Sequence, residues 1–157
     1  MRWILCVCFL GCLLPTAGFG QETEAEGQDR EQRIVEYLSD SKFVGRYTSD
    51  RDDSGAAKPE SYTIGKVEKL AEPDLYRLTT RIQYGETDTE VPIDLKILWS
   101  GNTPVITLDN LWIPGMGTFS ARVLIHQGRY AGTWSHGDKG GHLFGQIEKA
   151  ADETQAK

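Results

Sequence analysis

From Lys42 almost to its end, the chain alternates apolar and polar residues in short runs that are separated by tight turns. In the run LYRLTTRIQYG, every second residue shares one face, and these residues are Tyr76, Leu78, Thr80, Ile82 and Tyr84. A period of two is typical of a half-buried strand. The whole pattern gives about eight strands with hairpin-length connections, which indicates an antiparallel meander.

Eight strands also suffice to close a small up-and-down barrel, whose interior is either packed or holds one small ligand. We therefore predict an all-β domain and favour a closed barrel, although an open curved sheet or a sandwich would satisfy the same pattern. Pro92 lies within the run TEVPIDLKILW. Because proline cannot donate a ladder hydrogen bond, that end of the strand should lie at an edge or a bulge.

The first 20 residues are predicted to be a secretory signal peptide rather than part of the fold. Arg2 precedes an apolar run of 12 residues, Trp3–Leu14, and small residues follow Pro15. A bilayer span needs roughly 20 apolar residues, so we expect no transmembrane segment after cleavage and a secreted or periplasmic protein. All three cysteines lie in this segment, which leaves none in the mature domain; lipidation at Cys12 is the less favoured alternative.

The rest of the chain is predicted to be one domain with short polar ends. Residues 21–28 are acidic and lack large apolar side chains, which favours a disordered linker. Residues 29–150 are expected to form a single β domain, and residues 151–157 a disordered tail. The domain should open with one short helix, DREQRIVEYLSD, in which Asp29 caps the first turn and Gln32 completes a capping box.

Charge and residue content exclude several functions. The formal net charge is −6, and it becomes −7 when Arg2 is removed with the signal peptide, so binding to nucleic acid is disfavoured. A mature chain without cysteine has no thiol nucleophile, and no serine lies on a G-x-S-x-G elbow. We therefore expect a protein that is not an enzyme and needs no cofactor.

The most distinctive stretch is Gly128–Ile147, a predicted hairpin with a glycine-rich tip. His136, Asp138 and His142 crowd this tip, and imidazole and carboxylate groups are suitable ligands for zinc and other divalent ions. Since the two histidines are six residues apart across a turn, they would need to face one another to share an ion. A turn of polar residues, with glycines taking positive φ angles, is the favoured alternative.

Aromatic and apolar residues near the same end of the chain suggest contacts with a ligand. The segment around Trp112 and Met116 is apolar and lies beside a break at Pro114–Gly117, so it is predicted to cap a cavity or present a binding patch. Trp134 is predicted to point inward. Most other aromatic residues are better explained as packing within the core.

Two resemblances add to this interpretation. The segment Phe43–Tyr47, FVGRY after a short helix, resembles the G-x-W signature of lipocalins and fatty-acid-binding proteins, with Tyr47 in place of tryptophan. It implies a calycin-like barrel that holds a small hydrophobic ligand. The stretch from Gly115 to Gly145, with its GTWSHGDKGGHLFG hairpin, is similar to small secreted bacterial proteins that have no assigned activity. It implies export and an all-β domain, without indicating any chemistry.

Together these patterns predict an exported, non-enzymatic, calycin-like barrel that binds a small molecule or a component of the cell envelope. The residues predicted to contact the ligand are Trp112, Met116 and Trp134. The alternative is a metal-binding protein or metal-dependent enzyme that uses His136, Asp138 and His142.

Overall fold

The computed structural model describes residues 24–150. The predicted signal peptide, the first residues of the predicted linker and the predicted tail lie outside the described residues. One helix precedes eight strands: α1 Glu24–Leu38, β1 Ser41–Tyr47, β2 Lys58–Lys69, β3 Leu75–Tyr84, β4 Thr87–Ser100, β5 Thr103–Ile113, β6 Gly117–His126, β7 Arg129–His136 and β8 Lys139–Lys149.

The strands form a closed antiparallel barrel. Each strand pairs with the next along the chain, and β8 returns to pair with β1 from Ser41↔Lys149 to Tyr47↔Leu143. The prediction of an all-β meander of eight strands with one N-terminal helix is confirmed, and the barrel form is the correct one of the three that the pattern allowed. Alternate residues face inward as expected; in β4 the buried residues are Val91, Ile93, Leu95 and Ile97.

The two ends of the barrel differ. α1 leads almost directly into β1, so it lies at the end where β1 begins and β8 finishes, and its Ile34 and Leu38 are buried in the barrel core. We call this the helix end. The β1–β2 loop, residues 48–57, and the turns 85–86, 114–116 and 137–138 ring the opposite end, which we call the mouth.

Polar contacts hold α1 against the helix end. The Lys149 ammonium donates to the carbonyl oxygens of Glu36 and Ser39 at 3.2 and 3.1 Å, where the free carbonyl groups of the last helical turn need donors. The Ser41 hydroxyl donates to the Leu38 carbonyl at 2.6 Å. The Arg30 guanidinium lies 4.4 Å from the centre of the Trp99 ring. These contacts join the helix to both the first and the last strand.

The predicted start of the helix is wrong. α1 begins at Glu24, so residues 24–28, predicted to belong to the linker, are helical and Asp29 lies inside the helix, paired with Arg33 one turn later. Glu and Ala are strong helix formers and carboxylates favour a helix N-terminus, which together outweigh the lack of apolar residues there. No helix among the described residues is long and apolar enough to cross a membrane.

The barrel wall is incomplete between β4 and β5. These strands pair only over five residue pairs, from Lys96↔Thr107 to Ser100↔Thr103, so residues 87–95 of β4 have a paired strand only in β3. Pro92 lies in this half-paired part, as its missing donor predicted. The register of β5 against β6 also shifts between Leu108 and Leu111, beside the same opening. Residues in this part of the wall line the cavity described below.

Candidate ligand-binding site

An apolar cavity of about 160 Å³ lies inside the barrel. It extends from Phe43 and Ile106 in the core to Met116 and Tyr84 near the mouth, and nearly all of its lining is apolar. A dry apolar cavity of roughly 150 Å³ is large enough to take up a benzene-sized molecule. The interior of this barrel therefore has room for one small ring or a short alkyl chain.

A wider recess of about 410 Å³ opens at the mouth. It adjoins the cavity on the side of the mouth, because five residues line both spaces: Tyr62, Tyr84, Phe119, Trp134 and Leu143. The recess adds polar side chains that the cavity lacks, among them Glu60 and Lys58. Together the two spaces form an apolar interior with a polar entrance, the usual composition of a small-molecule site.

Aromatic rings frame the recess. Tyr47 makes edge-on contacts with Tyr84 and Trp134, with ring centroids 6.0 and 6.1 Å apart and interplanar angles of 80° and 78°. The Trp134 indole N–H donates to the Thr48 carbonyl at 3.1 Å, which fixes the ring in the wall. Such edge-to-face packing is a favourable arrangement of aromatic quadrupoles and leaves a rigid frame.

Glu60 is the buried ionisable group of this site, with only 6 % of its surface exposed. The Tyr62 hydroxyl donates to one carboxylate oxygen at 2.6 Å, and the Tyr130 hydroxyl donates to the other at 3.0 Å. Burial raises the pKa of Glu60 above its usual value, although both hydroxyl hydrogen bonds oppose this change. Burial also raises the pKa of both tyrosines, so they remain neutral donors.

Two glycines allow Tyr130 to reach Glu60 across the barrel. Cross-strand pairing places five residues in one inward row over five strands: Tyr130, Gly145, Gly45, Glu60 and Tyr84. The Tyr130 side chain extends over both glycines. A Cβ atom added at Gly145 would lie 2.7 Å from the Tyr130 ring, and one added at Gly45 would come within 3.0 Å of its hydroxyl. The missing side chains therefore provide the space that this tyrosine occupies.

A second polar atom faces the cavity itself. Thr80 lines the cavity and is 5 % exposed, and its hydroxyl has no hydrogen-bond partner within residues 24–150. Buried hydroxyl groups usually have a partner, because leaving one unpaired costs about 1–3 kcal/mol. Thr80 therefore provides an available hydrogen-bonding group deep in an otherwise apolar space.

The residues predicted as a metal site do not come together. Since the turn between β7 and β8 contains only Gly137 and Asp138, His136 pairs with Lys139 and His142 pairs with Thr133. His136 and Thr133 are three residues apart on one strand, so the two histidines lie on opposite faces of the hairpin. They therefore do not face one another, as sharing an ion would require. Within the described residues, no three His, Cys, Asp or Glu side chains are grouped to hold a metal ion.

His136, Asp138 and His142 each have separate surroundings. The His136 ring stacks on Phe119 with centroids 4.4 Å apart, and its Nδ1 lies 2.9 Å from the Thr118 carbonyl oxygen. Asp138 forms an exposed ion pair with Arg51 of the β1–β2 loop. His142 lies on the outer wall, where it lines a shallow groove with Leu124. His136 alone reaches the recess at the mouth.

The predicted ligand contacts are divided between the inside and the outside of the barrel. Met116 and Trp134 line the cavity, and Trp134 lines the recess as well. Trp112 is 65 % exposed and lines neither space. In β5 it pairs with Thr118 of β6, and alternation turns its side chain away from the interior that Ile113 faces.

Glu60 and its two tyrosines were not predicted from the sequence. Glu60 ends the polar segment DRDDSGAAKPE, which predicts a loop, whereas β2 begins at Lys58. A detectable signal is the alternation Glu60, Tyr62, Ile64, which continues an inward face back into that segment. The partner Tyr130 is 70 residues away in the sequence, so no local pattern joins it to Glu60.

Comparison with known proteins finds no matching family model, no matching curated protein and no matching solved structure.

Proposed function

We propose that this protein binds a small, largely apolar molecule, which enters through the mouth and places its apolar part in the cavity. The observation that supports this is the continuity of an apolar cavity of about 160 Å³ with a recess of about 410 Å³ at the mouth. Most of the residues that line the two spaces lie on strands of the barrel. The calycin-like form of the barrel, in which a small interior holds one ligand, is consistent with the same role.

The cavity favours a small molecule over a component of the cell envelope, because a macromolecule cannot enter it. A suitable probe is N-phenyl-1-naphthylamine, an uncharged apolar dye whose fluorescence rises when it leaves water. Its phenyl ring fits the cavity and its larger naphthyl group would lie in the recess. We expect saturable binding by the protein, with competition from unlabelled toluene. Wild-type protein that gives no saturable response to either probe would contradict the proposal.

A matched pair of variants locates the binding. Ala121 lines the cavity, so Ala121→Phe fills it with a ring and should abolish dye binding. Ala131 is exposed on the outer face of β7, so Ala131→Phe adds the same ring outside and should leave binding intact. Thermal unfolding of both variants checks that they fold. Equal dye binding by folded Ala121→Phe and wild type would place the dye elsewhere and refute the cavity as the site.

Export is part of the same proposal. The charged start, apolar run and small residues of the first 20 positions support a signal peptide, which would deliver the barrel outside the cytoplasm. Mass spectrometry of the protein recovered from the periplasm or medium should give a chain beginning near Gln21. Recovery of a chain that still begins at Met1, in the cytoplasm alone, would refute export.

A further inference from the structure

The carboxylate of Glu60 has no cationic partner in the described part of the chain. Its oxygens accept hydrogen bonds from two neutral hydroxyls, and none of the ion pairs formed within residues 24–150 includes it. A carboxylate has about four acceptor positions, so each oxygen retains room for another donor. A buried carboxylate without a cation is unfavourable, and a positively charged ligand would remove that cost.

The rings beside Glu60 are suited to a cation as well. Tyr47, Tyr84 and Trp134 line the recess with Glu60, and their edge-on packing gives them different orientations around it. The face of an aromatic ring carries partial negative charge and attracts ammonium groups, including quaternary ones. A ring that turns its face to the recess would therefore add to the negative potential of the carboxylate.

The lysines at the rim do not reverse this sign at the buried part of the recess. The Lys58 ammonium lies 2.8 Å from an Asp52 carboxylate oxygen, and this contact lowers the pKa of Asp52 to about 2, so the pair stays charged and mutually compensated. Lys139 also lines the recess but is exposed, where water screens its charge. Glu60 is the group that is both buried and uncompensated.

We propose that the ligand carries a protonated amine or a quaternary ammonium group, which Glu60 and the surrounding aromatic rings bind at the mouth. This inference depends on the proposed function, since it concerns the polar end of a molecule whose apolar body fills the cavity. Tyr130 acts as a positioning residue: its hydrogen bond to Glu60, reached over Gly45 and Gly145, holds the carboxylate facing the recess.

The test compares three ligands that share a phenyl ring and differ in charge: 2-phenylethylamine, 2-phenylethanol and phenylacetate. Each is titrated into the protein at pH 7 by isothermal calorimetry. A charge-assisted hydrogen bond and a cation–π contact should make the protonated amine bind at least about tenfold more tightly than the alcohol. Phenylacetate should bind most weakly of the three.

Variants then assign the preference to the recess. Glu60→Gln keeps the shape of the side chain and removes its charge, so the ratio of amine to alcohol affinity should fall towards one. Tyr47→Leu removes one aromatic wall and should lower the ratio by a smaller factor, which provides an independent test if Glu60→Gln fails to fold. Glu90→Gln removes an exposed carboxylate on β4 and should leave the ratio at its wild-type value.

The outcomes separate the two proposals. If all three ligands bind equally, or phenylacetate binds most tightly, the cationic preference is refuted and the cavity remains a binding site. If none of the three binds, both proposals fail. If the amine preference persists in folded Glu60→Gln, the cation binds elsewhere and the role of Glu60 is refuted.

Discussion

The inward row that includes Tyr130, Gly45 and Glu60 predicts that a side chain at Gly45 destabilises the barrel. A Cβ atom at this position would come within 3.0 Å of the Phe144 carbonyl oxygen, of the Tyr130 hydroxyl and of the Gly145 Cα atom. Two of these atoms belong to the backbone of β8, which pairs with every residue of β1. Neither strand can move without breaking the ladder that closes the barrel, so Gly45→Ala must displace Tyr130 and strain the seam.

The magnitude follows from these contacts. Overpacking that forces backbone shifts costs about 1–3 kcal/mol, and losing a hydrogen bond to a charged group costs about 1.5–3 kcal/mol. We therefore expect Gly45→Ala to lower the free energy of unfolding by about 2.5–6 kcal/mol. Since single domains are stable by only about 5–15 kcal/mol, this is a large share of the total.

Urea denaturation followed by tryptophan fluorescence measures this loss, and the midpoint should fall by roughly 2 M. Gly65→Ala is the matched control, because the nearest atom to its added Cβ is the Thr79 carbonyl oxygen at 3.9 Å. Alanine there should be neutral or stabilise slightly, since it restricts the unfolded chain. A loss below about 1 kcal/mol for Gly45→Ala, or an equal loss for Gly65→Ala, would refute the account of the seam.

Two further predictions concern charged side chains. Because burial raises the pKa of Glu60, its contribution to stability is present at pH values below its usual 4.5 and is lost as the pH rises through the pKa of the folded state. The stability of Glu60→Gln relative to wild type should therefore increase as the pH rises from 4 to 8. A difference in stability that is constant with pH in urea titrations would contradict this. Lys149→Met removes the donor to the last carbonyl groups of α1 and should lower the free energy of unfolding by about 1 kcal/mol. The control Lys42→Met, on β1, should lower it little. Equal losses of stability in the same urea titrations would show that the helix cap is unimportant.

Local patterns predicted much of the fold. Alternation in the run from Leu75 to Tyr84 and in the next run to Trp99 identified β3 and β4, and the same period identified the remaining strands. Closure was left open because it depends on β1 meeting β8, about a hundred residues later, and alternation on one strand contains no information about its neighbour. The helix start was missed because residues 24–28 have helix propensity without an apolar stripe.

The site was harder to predict for a related reason. Trp134 was predicted to point inward, and Met116 was predicted from the apolar segment beside the break at Pro114–Gly117; both line the cavity. Glu60 was assigned to a loop because it ends the polar segment DRDDSGAAKPE, and its partner Tyr130 comes from a distant strand. His136 and His142 were considered together because they are close in sequence, but the two-residue turn fixes a register that separates them.

The asymmetry of the barrel also determines how a ligand would be oriented. At the helix end, Ile34 and Leu38 of α1 fill the interior and Arg30 covers Trp99, so that end is occupied by the protein itself. At the mouth, the recess is open and its buried charge, Glu60, lies just above the apolar cavity. The proposed ligand would therefore enter with its apolar part first and leave its polar group beside Glu60. The same arrangement places Glu60, whose charged form burial disfavours, at the mouth, where the proposed cation would compensate it.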